Sequence, residues 1–288
     1  MKHKHLQKML TIILTFSLCV YLFCSCSKKE EKSPSKQSEN TEKKQPEALN
    51  KLEKSVQDII NELDKKEEEE TQESETKMES TTETKSEQSA EKEQTETKQE
   101  TKQEITKEST EDKKWKAVTK KVEEIHKKWN ELQPDLVTAG TPKQSIDEFS
   151  NTLNSLTVFI ESKDMQNTLF SSNELYRILA DFHEQFKGKI PPDVKRMSYF
   201  IRDAKYNGMS GKWEKAKSSV NNLKSHWEII RPQTKQEQES ITAQTEFSVS
   251  ELEKVLEQAN VNLVKLKSDI ALENVKKLEE SFEKMEEK

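Results

Sequence analysis

Three histidines in the C-terminal two-thirds of the chain, His126, His183 and His226, are the side chains best suited to acid–base catalysis or metal binding. Only His126 follows a glutamate, Glu123, at the three-residue spacing that di-iron helical bundles use. Those bundles need two such motifs and two further inward-facing glutamates, whereas His183 and His226 have no glutamate three residues before them. We therefore predict no metal site.

Other catalytic motifs are also missing from the sequence. It contains no nucleophile elbow, phosphate-binding loop or HExxH zinc motif. The four tryptophans could line a cleft for a carbohydrate or an apolar ligand, but their heptad spacing favours packing in a helical core. We therefore predict no catalytic residue and no cofactor, and we expect that the chain is not an enzyme.

The three cysteines, Cys19, Cys24 and Cys26, all lie near the N-terminus. The rest of the chain therefore has no disulfide, no redox CxxC motif and no cysteine-ligated zinc. The cysteines lie in or just after an apolar run, Met9–Phe23, which follows a basic start, and the small residue Ser25 precedes Cys26. This order of features is typical of an export signal.

The sequence Phe23-Cys24-Ser25-Cys26 resembles the lipobox of bacterial lipoproteins. The resemblance implies that residues 1–25 are a cleaved signal peptide and that Cys26 receives a diacylglyceryl group. That group would hold the protein at the extracytoplasmic face of the cell membrane, because stable anchoring takes more than one acyl chain. Cys24 is the rival acceptor, but cleavage after the bulky Phe23 fits the family poorly. An uncleaved signal anchor and ordinary secretion are the two competing interpretations. The signal anchor is considered because the apolar run is near the lower length limit for a membrane span.

The net charge of −6 is unevenly distributed along the chain. Residues 67–112 carry 6 basic and 17 acidic side chains, whereas residues 113–288 carry 29 basic and 28 acidic ones. A protein that binds nucleic acid needs a clustered basic face, which the balanced C-terminal part does not suggest. We therefore expect no nucleic-acid partner.

The region between the signal and residue 113 divides into three segments. Residues 26–46 are polar and predict a flexible linker. Residues 47–66 predict a short amphipathic helix, which could be nascent or could dock on the membrane surface or on a second copy; its apolar stripe is Leu49, Leu52, Val56, Ile59 and Leu63. Residues 67–112 contain only three apolar side chains and predict a disordered acidic linker, which would act as a spacer.

Residues 113–288 predict an all-α domain, an antiparallel bundle of six or seven helices. The clearest signal is a repeated helix, Trp115–Pro134 and Trp213–Pro232, whose tryptophans and prolines are 98 positions apart. Each copy is expected to end at its proline. Phe149 and Phe247 keep the same spacing. The pattern favours an internal duplication, and two merely similar bundle helices are the alternative.

The C-terminal stretch, residues 236–287, predicts either one long helix with a stutter or a hairpin that turns near Lys267–Asp269. The heptad tryptophans resemble those of spectrin-like bundles, which is a likeness of architecture and implies no function.

The anchor, the spacer and the bundle together favour a surface-tethered, non-enzymatic binding module at a bacterial envelope. Its partner would be an envelope protein or a cell-wall polymer. The alternative is a structural spacer or surface antigen without a ligand site, and a metal-binding bundle or a hydrolase is disfavoured. Sequence reasoning leaves the oligomeric state open.

Overall fold

The computed structural model describes the backbone of residues 44–80 and 93–285, and the side chains of residues 44–64 and 111–285. The predicted signal peptide 1–25, the predicted lipid acceptor Cys26 and all but the last three residues of the predicted linker 26–46 lie outside the described residues. All described residues belong to one compact unit.

The described residues form an all-α fold, as the sequence predicts. Eight α-helices follow one another in this part of the chain: α1 Glu47–Ser80, α2 Glu93–Ala139, α3 Lys143–Glu161, α4 Met165–His183, α5 Pro192–Met209, α6 Trp213–Ile230, α7 Glu239–Glu257 and α8 Val261–Met285. Two short 3-10 turns, Arg231–Gln233 and Gln236–Gln238, link α6 to α7. Six of the eight helices, α3–α8, lie wholly within residues 113–288 and α2 extends into this range, in agreement with the predicted six or seven.

The helices form two consecutive four-helix bundles. Helices α1–α4 contact one another in a ring around one hydrophobic cluster, and α5–α8 do the same around a second cluster. The two bundles meet where α5 packs on α4. Short turns between most consecutive helices make neighbours antiparallel.

The two bundles repeat the same local structure. Asp164 and Asn260, which are 96 positions apart, each accept a hydrogen bond at 3.0 Å from the backbone N–H three residues later, and so begin α4 and α8. The residues just before them, Lys163 and Ala259, both have positive φ angles, 53° and 48°. Equivalent turns with equivalent caps indicate that α3–α4 and α7–α8 are copies of one hairpin.

Burial follows the same repeat through all four helices. Adding 96 to the buried positions of α3 and α4 gives buried positions of α7 and α8: Leu153/Val249, Leu156/Leu252, Ile160/Leu256, Ser172/Ser268 and Leu179/Val275. The spacing is 98 between α2 and α6, and 145 between α1 and α5, where Leu49, Leu52 and Val56 match Val194, Met197 and Ile201. The repeat of buried positions therefore extends through all four helices of each bundle.

The pairing of Phe149 with Phe247 is wrong. Phe149 is fully buried, whereas the side chain of Phe247 is 72% exposed. The spacing falls from 98 to 96 after α6, so the buried equivalent of Phe149 is Thr245.

Two helix ends differ from the sequence-based expectation. Helix α2 continues past Pro134 to Ala139, because burial of Leu136 stabilises one more turn. The C-terminal stretch is a hairpin, but its turn lies at residues 258–260 rather than near Lys267–Asp269, because Ala259 takes the positive φ and Asn260 caps α8.

The described compact unit begins well before residue 113. The apolar stripe predicted for 47–66 is fully buried in the first bundle, where α1 contacts α2 and α4. The stripe is therefore covered by the chain's own helices rather than by a membrane or a second copy.

The segment 67–112, for which the sequence predicts disorder, is partly helical. Helix α1 continues to Ser80 and α2 begins at Glu93, while residues 81–92 lie outside the described residues. A helix that is already nucleated in a packed core extends at little cost through Glu, Lys and Gln, which are good helix formers.

The burial of α1 predicts the effect of truncating its core side chains. Leu52→Ala should lower the free energy of unfolding by about 2–5 kcal/mol, because Leu52 is fully buried and its removal leaves a cavity. Urea denaturation of full-length protein measures the change, with the exposed Lys54→Ala as control. Equal stability of the two variants would contradict the assignment of α1 to the bundle.

Gly208 offers a second test of the packing between α5 and α8. In an open helix, Gly→Ala would stabilise by about 1 kcal/mol. Here a Cβ atom would lie 2.9 Å from Cγ1 of Val264, a stiff β-branched side chain, so Gly208→Ala should destabilise by about 1–3 kcal/mol. The cost should shrink in a Val264→Ala background. A stabilising effect of Gly208→Ala in the otherwise unchanged chain would show that α5 and α8 are farther apart.

Candidate functional site

The structure separates the three histidines that sequence analysis singles out. His126 is half-buried, and its Nε2 lies 2.9 Å from Oγ1 of Thr157, while Glu123 is exposed. Nδ1 of His226 lies 2.7 Å from Asp193. His183 belongs to a different cluster, so each histidine has its own partner. Within the described residues, three or more His, Cys, Asp or Glu side chains never converge in a way that could hold a metal ion.

The tryptophans pack in the two cores, as their heptad spacing predicts. Trp115, Trp129 and Trp227 are buried, and Trp213 is half-buried. The ring of Trp129 lies 4.2 Å from Phe149 and 5.8 Å from Phe182, measured between ring centroids. Their role in packing is confirmed.

Four ionisable side chains from four helices meet near the joint of the two bundles. We call them the Glu53 cluster: Glu53 of α1, His183 of α4, Lys195 of α5 and Glu279 of α8. Nζ of Lys195 lies 2.7 Å from Glu53 and 2.9 Å from Glu279, and Nε2 of His183 lies 2.6 Å from the second oxygen of Glu53. The cluster borders a cavity of about 420 Å³.

The electrostatics of the Glu53 cluster favour fixed charges over proton transfer. Burial alone would raise the pKa of Glu53, but the charge of Lys195 and the hydrogen bond from His183 lower it to about 2. Burial alone would lower the pKa of Lys195, but Glu53 and Glu279 raise it above its usual value. A carboxylate that stays ionised and an amine that stays protonated suit a structural role better than general acid–base catalysis.

A second buried cation of α5 makes a similar link. Nζ of Lys205 lies 2.9 Å from Asp64 of α1 and 2.7 Å from Asp269 of α8. Its side chain is almost completely buried, and the two carboxylates raise its pKa although burial acts in the opposite direction. Helix α5 therefore connects a helix of the first bundle with a helix of the second at two points.

Sequence reasoning misses these lysines because a charge on a helix normally faces solvent. The repeat contains the missing signal: Lys205 is equivalent to Ile60, a buried apolar residue of α1. A lysine at a core position of an otherwise matching stripe must find buried carboxylates.

The outer side of α7 and α8 carries exposed apolar side chains. Phe247 of α7 is 72% exposed, and Leu266 and Ile270 of α8 are 53% and 37% exposed. We call the three residues the α7–α8 groove. They are the strongest candidates for a binding surface in the described part of the chain, because exposed apolar side chains that cluster mark interaction sites.

Two contacts between the helices place these side chains on one side of the α7–α8 pair. Nζ of Lys267 lies 2.6 Å from Glu251, and Nδ2 of Asn274 donates a hydrogen bond to the backbone oxygen of Gln244 at 3.2 Å. Phe247 lies between Gln244 and Glu251 on its helix, and Ile270 lies between Lys267 and Asn274. The side chains of Phe247 and Ile270 therefore point to the same outer face.

Comparison with protein-family models, curated protein sequences and solved structures finds no match to this chain. Each described helix is too short or too polar to span a bilayer.

The Glu53 cluster should make the free energy of unfolding depend on pH. Since the folded-state pKa of Glu53 lies below its unfolded value of about 4.5, its stabilising effect is present above pH 4.5 and is lost as the pH falls toward 2. At pH 7, Glu53→Gln should lower the free energy of unfolding by about 3 kcal/mol, because Lys195 and His183 lose a charged partner. The difference from wild type should shrink between pH 4.5 and pH 2.

Chemical denaturation at a series of pH values measures this difference, with the exposed Glu124→Gln as control. A Glu53→Gln variant as stable as the control at pH 7, or a difference that grows on acidification, would contradict the geometry of the cluster.

Proposed function

We propose that the chain is an extracytoplasmic lipoprotein of a bacterial envelope whose helical domain binds another envelope component and catalyses no reaction. The observation that carries the proposal is the α7–α8 groove. A pure spacer or a surface antigen gains nothing from a phenylalanine, a leucine and an isoleucine exposed side by side, because such a patch favours association. A protein partner fits this groove better than a cell-wall polymer does, since the exposed side chains are aliphatic and aromatic rather than hydrogen-bonding.

The anchoring half of the proposal rests on Cys26 and the residues before it. A cleaved signal ending at Ser25 and a diacylglyceryl group on Cys26 would tie the domain to the membrane. The long polar segment before the first bundle, residues 27–46, would then separate the domain from the lipid headgroups.

The character of the Glu53 cluster supports a binding role over a hydrolytic one. Its carboxylate and its amine are locked in their charged forms by each other, and both connect helices. The carboxylate of Glu53 and the amine of Lys195 therefore hold helices together and are not free for proton transfer.

Lipidation is tested by mass spectrometry of the full-length gene product purified from membranes. We expect an N-terminal diacylglyceryl-cysteine at position 26. Cys26→Ser should move the protein from the membrane fraction to the soluble fraction, while Cys24→Ser, the matched control, should leave it in the membrane. An unmodified Cys26, or release by Cys24→Ser instead, would overturn the assignment of the acceptor.

The binding role is tested by crosslinking in intact cells, followed by identification of the crosslinked peptides. We expect crosslinks from the helical domain to a protein of the envelope, and their loss with Cys26→Ser. Crosslinks confined to cytoplasmic proteins, or no crosslinked partner for the anchored protein, would overturn the proposal.

A further inference from the structure

The two bundles of the repeat differ in one respect that bears on binding. In the first bundle, the outer face of α4 is covered by α5, the first helix of the second bundle. In the second bundle, the equivalent face of α8 carries the exposed Leu266 and Ile270. The first bundle thus shows what kind of element covers this face when it is occupied.

The contacts of α5 on α4 follow a simple pattern. Tyr206 lies 5.7 Å from Phe170, measured between ring centroids, and the hydroxyl of Tyr199 donates a hydrogen bond to Glu174 at 3.1 Å. Nη2 of Arg196 lies 2.6 Å from Asp181. The helix α5 therefore runs antiparallel to α4 and presents two large side chains seven residues apart, with a cation three residues before the first.

The residues of α4 that α5 contacts have equivalents in α8 of the second bundle. The α4 residues Phe170, Glu174 and Asp181 are equivalent to the following residues of α8, 96 positions on: Leu266, Ile270 and Lys277. Asn151, which lines the groove of the first bundle, is equivalent to Phe247. The open groove is thus more apolar than the covered one, and the anion at one end is replaced by a cation.

We propose that the α7–α8 groove receives an amphipathic helix of another protein, in the position that α5 occupies on α4. This inference rests on the proposed function and names its partner. The helix presents two apolar side chains seven residues apart to Ile270 and Leu266. It presents an acidic side chain to Lys277, three residues before the first of them, where α5 presents Arg196 to Asp181. Among the described residues, Lys277 pairs with Glu273 at 2.6 Å, and both side chains are exposed, so water screens this pair.

A second copy of the chain fits the groove poorly. The helix equivalent to α5 in the next copy would be α1, whose residues at the positions of Arg196, Tyr199 and Tyr206 are Lys51, Lys54 and Asn61. Lys51 would meet Lys277 with like charge, and neither Lys54 nor Asn61 offers an apolar contact to Ile270 or Leu266. Charge complementarity therefore favours a different protein with an acidic amphipathic helix.

The experiment uses two synthetic peptides of 21 residues and full-length protein. Both peptides are Ala- and Gln-based helices with tyrosine at two positions seven residues apart. The acidic probe carries glutamate three residues before the first tyrosine, and the basic probe carries lysine there. Fluorescence anisotropy measures binding of each probe.

We expect the acidic probe to bind at least tenfold more tightly than the basic probe. Ile270→Asp should weaken binding of the acidic probe at least tenfold, and Lys277→Glu should reverse the preference between the probes. Val158→Lys is the matched control, because Val158 is an exposed apolar residue of α3 and its equivalent in α7 is already Lys254. It should leave both affinities unchanged. Equal binding by wild type and Ile270→Asp, an unchanged preference in Lys277→Glu, or no binding of either probe would overturn the inference.

Sedimentation of the full-length protein covers the other occupant. We expect that Ile270→Asp does not change the self-association of the protein. A dimer that Ile270→Asp abolishes would show that a second copy occupies the groove, and it would overturn the inference. Circular dichroism of each variant confirms that it is folded.

If the partner crosslinks in cells persist with Ile270→Asp, the binding function stands and the groove is not its site. If no crosslinks form with wild type, the function itself fails.

Discussion

Two buried lysines of α5 are the physical constraint that makes one domain of two bundles. Lys195 and Lys205 lie at the joint, and each is held by a carboxylate of α1 and a carboxylate of α8. A buried ammonium group is tolerated only where anions compensate its lost hydration. The requirement fixes α5 in position and rotation, because moving or turning the helix would leave charges buried without partners. Apolar packing alone would specify this arrangement less strictly, since hydrophobic contacts have no direction.

The internal repeat shows how the outer face of α4, which is covered, differs from the outer face of α8, which is exposed. Each bundle closes a ring of four helices, and Tyr206 of α5 completes the core of the first bundle from the second. Besides the lysine links, the bundles are joined by α5 packing on the outer face of α4. The same face recurs on α8, where Leu266 and Ile270 are exposed and no described helix covers them. Two polar residues of the covered side, Asn151 and Glu174, have the apolar equivalents Phe247 and Ile270 in the second bundle. On α1, the positions that match Arg196, Tyr199 and Tyr206 of α5 carry the polar residues Lys51, Lys54 and Asn61.

Much of this fold follows from the spacing of apolar residues. The all-α class, the helix count and the core role of the tryptophans are predictable, because a stripe at intervals of three and four residues specifies a buried helix face. The sequence shows the repeat only in the two tryptophan helices, Trp115–Pro134 and Trp213–Pro232. The spacing changes from 98 to 96 after α6, so an alignment without gaps fails there and pairs Phe149 with the wrong residue. The burial of Lys195 and the α7–α8 groove could not be predicted, since both depend on which helices are neighbours. The burial of Lys205 could be inferred only from its equivalence to Ile60, which requires the spacing of 145 residues between α1 and α5 that the structure shows.

The central claim is that the lysine links make the two bundles unfold together. Native-state hydrogen exchange tests it most directly, because it measures the free energy of opening for each helix separately. The account predicts the same opening free energy, and the same urea dependence, for core amides around Ile125 in the first bundle and around Leu223 in the second. A lower opening free energy in one bundle, with the other still protected, would contradict the account.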